Sequence, residues 1–134
     1  MKIGEFMTTK LETINADGTV YDAIERMVDR RLRSLLVIPA KNREEYGVIT
    51  ARDVVFRVLS RGLNPTKVKV SEISSKPLVC ISKETELEDA AGLMESSNIA
   101  RVFVCEDKKI IGLVSLLDVM AAALVLRARG NYVV

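Results

Sequence analysis

Shifted by 67 positions, the chain lies on itself: Glu5 falls on Glu72, Leu11 on Leu78, Ile14 on Ile81, Asp22-Ala23 on Asp89-Ala90, Met27 on Met94 and Val37 on Val104. Past the loop KNREEY, which carries a two-residue surplus, the shift becomes 65 and Gly47 meets Gly112, Asp53-Val54 meets Asp118-Val119, and Leu59 meets Leu124. A tandem duplication limits the possible folds severely, because whatever one copy builds the other must build as well. A half of roughly 60 residues buries too little surface to be comfortable alone. The expectation is therefore two repeats, residues 1–62 and 63–134, whose sheets pack into one compact module with pseudo-twofold symmetry.

Within each copy the hydrophobic periods are readable. LETI and LVCI read as short strands. Val20, Ala23, Ile24 and Met27, and in the second copy Leu87, Ala90, Ala91 and Met94, mark an amphipathic helix. SLLVI and RVFVC are strands, EYGVIT and IIGLVS are strands returning after a polar turn, and Val54, Val55, Val58, Leu59 and Val119, Met120, Ala123, Leu124 mark a closing helix. Each copy thus reads strand, helix, strand, strand, helix, an α+β class. Residues 60–77 join the copies through Gly62, Asn64-Pro65 and Pro77, all breakers of regular structure.

Composition makes several function classes unprompted. Twenty basic and 18 acidic residues leave a net charge of +2, too small a field to recommend nucleic acid or an anionic membrane. Arg26, Arg30 and Arg33 do form a basic stripe, but Asp22 and Asp29 stand four residues before Arg26 and Arg33 in the favourable acid-to-base order, so a paired, solvated face is expected. The start of the chain is polar and the apolar run Val119 to Leu126 is too short to span a bilayer, which points to a cytoplasmic protein. Cys80 and Cys105 lie in apolar runs without CxxC spacing, and with no histidine in the chain no metal site is expected; both read as small buried hydrophobes. The missing histidine also removes the commonest base for a Ser, Thr or Cys nucleophile, and no Gly-rich phosphate loop occurs. No catalytic residue is assigned, and the chain reads as a non-enzyme.

Two short segments draw attention, Thr50-Ala-Arg-Asp53 and Ser115-Leu-Leu-Asp118. Each is a capping pattern, in which the hydroxyl accepts a backbone N–H and the acid sits in the positive first turn. Each also follows a glycine-led strand directly. A helix start suits a phosphate, and a carboxylate beside it can accept two hydrogen bonds from a ribose diol, so a ribonucleotide is the alternative to a plain cap.

The doubled Gly-x-h-Thr/Ser-x-x-Asp motif, closing a strand-helix-strand-strand-helix repeat twice, resembles the tandem cystathionine β-synthase (CBS) domain pair, or Bateman module, from about Glu5 to Leu124. The resemblance implies a regulatory module, often dimeric, that senses an adenosine-containing ligand such as AMP, ADP, ATP or S-adenosylmethionine in clefts shared by the two repeats. Carried over residue by residue, one cleft combines Val48, Thr50 and Asp53 with Thr85, Ala90, Ile99 and Arg101, with Arg52 as a further phosphate ligand. The other combines Leu113, Ser115 and Asp118 with Gly18, Ala23, Leu32 and Ser34. Leu36 and Phe103 stand where the family commonly has proline, and Phe103 is expected to narrow a pocket. Val119 to Leu126 is apolar all round its helix, and burial against a second copy, through the helices by which the family dimerises, is the expected solution. The output then lies in a separate effector. The competing reading is a scaffold whose clefts are filled by their own side chains and whose T/S-x-x-D segments are only caps; binding of nucleic acid through the arginine stripe is the third.

Overall fold

Thr19 and Asp22 start the first helix, α1 (Val20–Arg30), by reciprocal capping: the Asp22 N–H donates to the Thr19 hydroxyl and the Thr19 N–H to the Asp22 carboxylate, each at 3.1 Å. The computed structural model to which it belongs describes residues 1–41 and 45–132. Part of the KNREEY loop (42–44) and the last two residues of the tail (133–134) therefore lie outside the described residues. Strands β1 (Thr13–Asn15), β2 (Ser34–Ile38) and β3 (Gly47–Thr50) form a sheet in that order, the first pair parallel and the second antiparallel. Helix α2 (Ala51–Arg57) leaves directly from β3. The apolar face of α1 (Val20, Ala23, Met27) buries against Leu35, Val37, Ile49 and Val54, and each of these side chains larger than alanine, fully removed from water, stabilises the fold by about 1.5–3 kcal/mol.

The second copy repeats this plan. Strands β4 (Cys80–Ile81), β5 (Arg101–Glu106) and β6 (Lys109–Ser115) form the same parallel-then-antiparallel sheet, with α4 (Leu87–Ser96) after β4 and α5 (Leu116–Ala128) after β6. Ala90, Met94, Val102, Val104 and Val114 fill its core.

Periodicity alone missed two segments. In the breaker-rich connector, Val70 and Ile73 form a single helical turn, α3 (Val70–Ile73), whose two apolar side chains are buried in the core of the first sheet. Just past the turn and its C-cap Ser74, Ser75 exchanges two backbone hydrogen bonds with Val48 of β3, each 2.9 Å. The polar-looking N-terminus does the same on the second sheet. Ile3 is fully buried there, and Thr8 exchanges bonds of 2.8 and 2.9 Å with Leu113 of β6. Ile3 and Val70, like Thr8 and Ser75, are related by the same 67-position shift. The lead-in to each repeat thus adds to the sheet of the other repeat, and the chain divides into two compact units, Leu11–Leu78 (the first unit) and Met1–Lys10 with Val79–Val134 (the second unit).

This bridging explains the glycine that opens each motif. A Cβ on Gly47 would stand 2.9 Å from the Ser75 carbonyl oxygen, and one on Gly112 would stand 2.6 Å from Met7 Sδ and 3.2 Å from the Thr8 carbonyl oxygen. At Gly47 the obstacle is backbone, so only a residue without a side chain lets the lead-in close on the strand; at Gly112 the nearest atom ends a flexible methionine side chain, and the Thr8 carbonyl asks for a smaller adjustment.

The cysteine expectation is corrected. Cys80 and Cys105 form a disulfide between β4 and β5, with Cα atoms 5.7 Å apart; Cys80 is exposed and Cys105 only half-buried. Cys80 stands opposite Phe103, and Cys105 is two residues further along β5, where alternation returns the side chain to the same face. An apolar run in sequence concealed a diagonal pair at a sheet edge. The arginine stripe also finds partners other than the acids four residues before. Arg26 donates to the Thr13 carbonyl and Arg30 pairs with Glu12, whereas no Asp22–Arg26 or Asp29–Arg33 ion pair forms among the described residues. Arg26 reaches across to β1 and Arg30 to the residue just before it.

On the second unit, exposed charges pair around the N-terminus. The Lys2 ammonium, 2.7 Å from Glu84, holds the Glu84 carboxyl below its ordinary value, and the Lys2 backbone N–H does the same for Glu5. Pairs so open to solvent add little to stability. No helix among the described residues is long and apolar enough to cross a membrane.

Candidate functional site

Antiparallel register decides which candidate residues each unit gathers. In the first unit Ser34 stands opposite Thr50 and Leu36 opposite Val48, and the Ala51 N–H donates to the Arg33 carbonyl at 2.9 Å. Leu32, Ser34, Val48, Thr50 and Asp53 therefore belong to one end of the β2–β3 ribbon and the start of α2. In the second unit Arg101 stands opposite Ser115 and Phe103 opposite Leu113, and the Leu116 N–H donates to the Ala100 carbonyl at 3.0 Å. Ile99, Arg101, Leu113, Ser115 and Asp118 gather in the same way. The same ladder thus holds both motifs, as a duplicated sequence requires.

At the first motif, the Asp53 N–H donates to Thr50 Oγ1 at 3.1 Å, closing a capping box. The Thr50 N–H and the Thr50 hydroxyl both donate to Asp53 Oδ2, each at 2.9 Å. Both of these bonds land on Oδ2. The side chain is half-buried and held in orientation by them. Arg52 is exposed beside it, its guanidinium 4.8 Å from the centre of the Phe56 ring.

The second motif is built alike but finished differently. The Asp118 N–H donates to Ser115 Oγ at 3.2 Å and the Ser115 N–H to Asp118 Oδ2 at 2.9 Å. Here the Thr8 hydroxyl stands 3.3 Å from Oδ2 and 3.4 Å from Oδ1, a long contact that engages both oxygens. Sequence reasoning overlooked Thr8. Its signal was the 67-position shift, which pairs it with Ser75, a second small hydroxyl at the same bridge.

The remaining candidates differ in what they expose. Ala23 and Ala90 are 0% and 1% exposed and belong to the cores of their units; Leu36 and Phe103 are buried as well. Gly18, Leu32, Thr85 and Ile99 are half-buried. Thr85 accepts the Ile3 N–H at its carbonyl, 2.9 Å away. An open groove of about 450 Å³ runs along β1 and α1 of the first unit, lined by Thr13, Asn15, Gly18, Asp22 and Arg26 among others. It contains Gly18 but neither Thr50 nor Asp53, so this concavity and the duplicated motif do not coincide there. Among the described residues no group of His, Cys, Asp or Glu is arranged to hold a metal ion.

Known proteins share this arrangement. The CBS domain family model matches twice, over residues 3–60 and 70–125. An uncharacterized protein of Methanocaldococcus jannaschii is 34% identical over 111 residues, covering 82% of this chain and 60% of its own length. The mitochondrial CBS domain-containing protein CBSX3 of Arabidopsis thaliana is 33% identical over 109 residues, covering 79% of this chain and 53% of its own length. The chain therefore spans only between half and two thirds of these relatives. Among solved structures, a hexameric CBS-CP12 protein from bloom-forming cyanobacteria superposes with a TM-score of 0.82 at 33% identity, covering 90% of this chain and 69% of that one. Two family matches, one on each copy of the repeat, establish that the chain belongs to the CBS domain family.

Proposed function

We propose that the chain is a regulatory, non-enzymatic module that binds an adenosine-containing ligand, with AMP, ADP, ATP and S-adenosylmethionine as the chemical candidates. The observation that carries this reading is the Asp53 carboxylate, oriented by two hydrogen bonds that Thr50 donates to Oδ2 within the capping box. A ribose diol needs such an acceptor, fixed in advance so that little ordering remains to be done on binding. Within the first unit Val48 is the apolar candidate for the base and Arg52 that for phosphate. In this proposal Asp53 binds first, because the Thr8 hydroxyl competes for Asp118.

Self-association belongs to the same proposal. Leu117 and Leu124 on α5 are 70% and 74% exposed, and Met120 between them is exposed too. Ala122 and Leu126 on the same helix are already spent on the core of their own unit. A second copy covering the outer face removes that apolar surface from water, and the hexameric state of the cyanobacterial relative supports assembly as a habit of such modules.

Thermal melts with each nucleotide test the reading. A ligand at a hundred times its Kd adds about 2.7 kcal/mol, enough to raise the midpoint by several degrees. Asp53→Ala should abolish most of that rise, while Asp118→Ala should leave the first binding event in place. The scaffold reading has its own support, since both capping boxes are complete without a ligand. It takes over if no nucleotide moves the midpoint and Asp53→Ala merely lowers it by about 1 kcal/mol under all conditions.

A further inference from the structure

The two units fasten their edge strands by different means. In the first, β1 pairs with β2 through three residue pairs, and two side chains of α1 hold it as well: Arg26 donates to the Thr13 carbonyl and Arg30 pairs with Glu12. In the second, β4 pairs with β5 through two residue pairs only, Cys80 with Phe103 and Ile81 with Val104, beside one further bond from the Phe103 N–H to the Val79 carbonyl at 2.9 Å. The 67-position shift carries Arg26 onto Leu93 and Arg30 onto Ser97, so α4 has no guanidinium groups to offer at these places. The same shift carries Thr13 onto Cys80 and Ile38 onto Cys105. Where the first unit uses two arginines, the second uses a covalent bond.

We infer that the Cys80–Cys105 disulfide is a thiol-exchange site for a dithiol reductant, and that its reduction releases β4 from the sheet edge while the rest of the second unit stays folded. Cys80 is exposed and Cys105 half-buried, so attack falls on Cys80. A thiolate of the reductant bonds to Cys80 Sγ, the Cys80–Cys105 bond breaks, and Cys105 leaves as a thiolate. The second thiol of the reductant then attacks its own sulfur in the mixed disulfide and expels the Cys80 thiolate. The dithiol leaves as a cyclic disulfide, having supplied two electrons to the pair. Opening stays local because the chain beyond β4 is tied down independently: the Gly4 N–H donates to the Lys83 carbonyl and the Ile3 N–H to the Thr85 carbonyl, each at 2.9 Å. The core strands β5 and β6 share a long ladder that does not depend on β4.

The full chain, equilibrated first with oxidised glutathione and then with dithiothreitol, tests this by alkylation, mass spectrometry and amide hydrogen exchange. The oxidised protein should present no alkylatable thiol and the reduced protein two. Exchange over residues 79–82 should rise by about tenfold or more on reduction, with residues 12–15 unchanged. The Cys80→Ser/Cys105→Ser variant should exchange rapidly over 79–82 in both conditions and ignore the reductant. Two alkylatable thiols surviving glutathione would overturn the inference, as would equal exchange over 79–82 in both redox forms. A rise shared equally by residues 12–15 would overturn it as well, because the bond would then be a global staple. The wild-type comparison stands whether or not the double variant folds.

Discussion

Gly47 and Gly92 are both single hydrogen atoms where other residues carry a side chain, yet their surroundings give opposite expectations. A methyl group on Gly47 meets the Ser75 carbonyl, a backbone atom held by the bridge to Val48 and unable to turn away. Gly47→Ala should therefore cost about 1–3 kcal/mol in a urea titration. Gly92 lies inside α4 with nothing within 4 Å of its added Cβ, so Gly92→Ala should stabilise by about 0.5–1 kcal/mol through helix propensity alone. Equal effects in the two variants would refute the close-approach explanation of the motif glycine. That glycine was visible in sequence as the leading letter of both motifs, but its reason was not, because the atom it makes room for lies 28 positions away, in Ser75. The carboxylates behave likewise: the capping of Asp53 and Asp118 follows from spacing, whereas the Thr8 hydroxyl beside Asp118 crosses 110 positions and has no local signature.

Among the elements, helices with strong caps and periods formed where expected, and the weakest strands needed help from outside themselves. Strand β1 is three residues long at a sheet edge, and Arg26 on α1 binds its Thr13 carbonyl. Arg26→Ala should destabilise the first unit by about 1–2 kcal/mol, because a charged donor leaves a part-buried acceptor without its partner. Arg33→Ala, on an exposed side chain, should stay within about 0.5 kcal/mol. Chemical denaturation of the two variants side by side checks this; matching losses would mean the stripe acts by general charge. The lead-in turns teach a related lesson. Ile3 and Val70 are too few, and too closely flanked by polar residues, to make a period, so only the core they enter shows that they are structural.

For the molecule as a whole, the outer face of α5 is the feature that a solitary chain explains least. Leu117→Glu and Leu124→Glu place charge where a second copy is proposed to pack, and should shift the sedimentation mass from dimer to monomer while the melting midpoint at high dilution barely moves. A single unchanged monomer mass for the parent chain would remove self-association from the proposal. The Asp53 titration is independent of that outcome, so binding and assembly can be judged apart.

By itself the sequence determined the duplication, the order of elements in each copy, both capping boxes and the family. Those properties depend on spacing along a few consecutive turns, and local spacing survives translation into structure. Tertiary structure decided which sheet each lead-in segment joins, why Gly47 must be glycine, how Arg26 and Arg30 are used, and that Cys80 and Cys105 are bonded rather than buried. Each of these joins residues far apart in the chain, and what brings such residues together is the free energy of burying a shared core, which no window of a few residues contains.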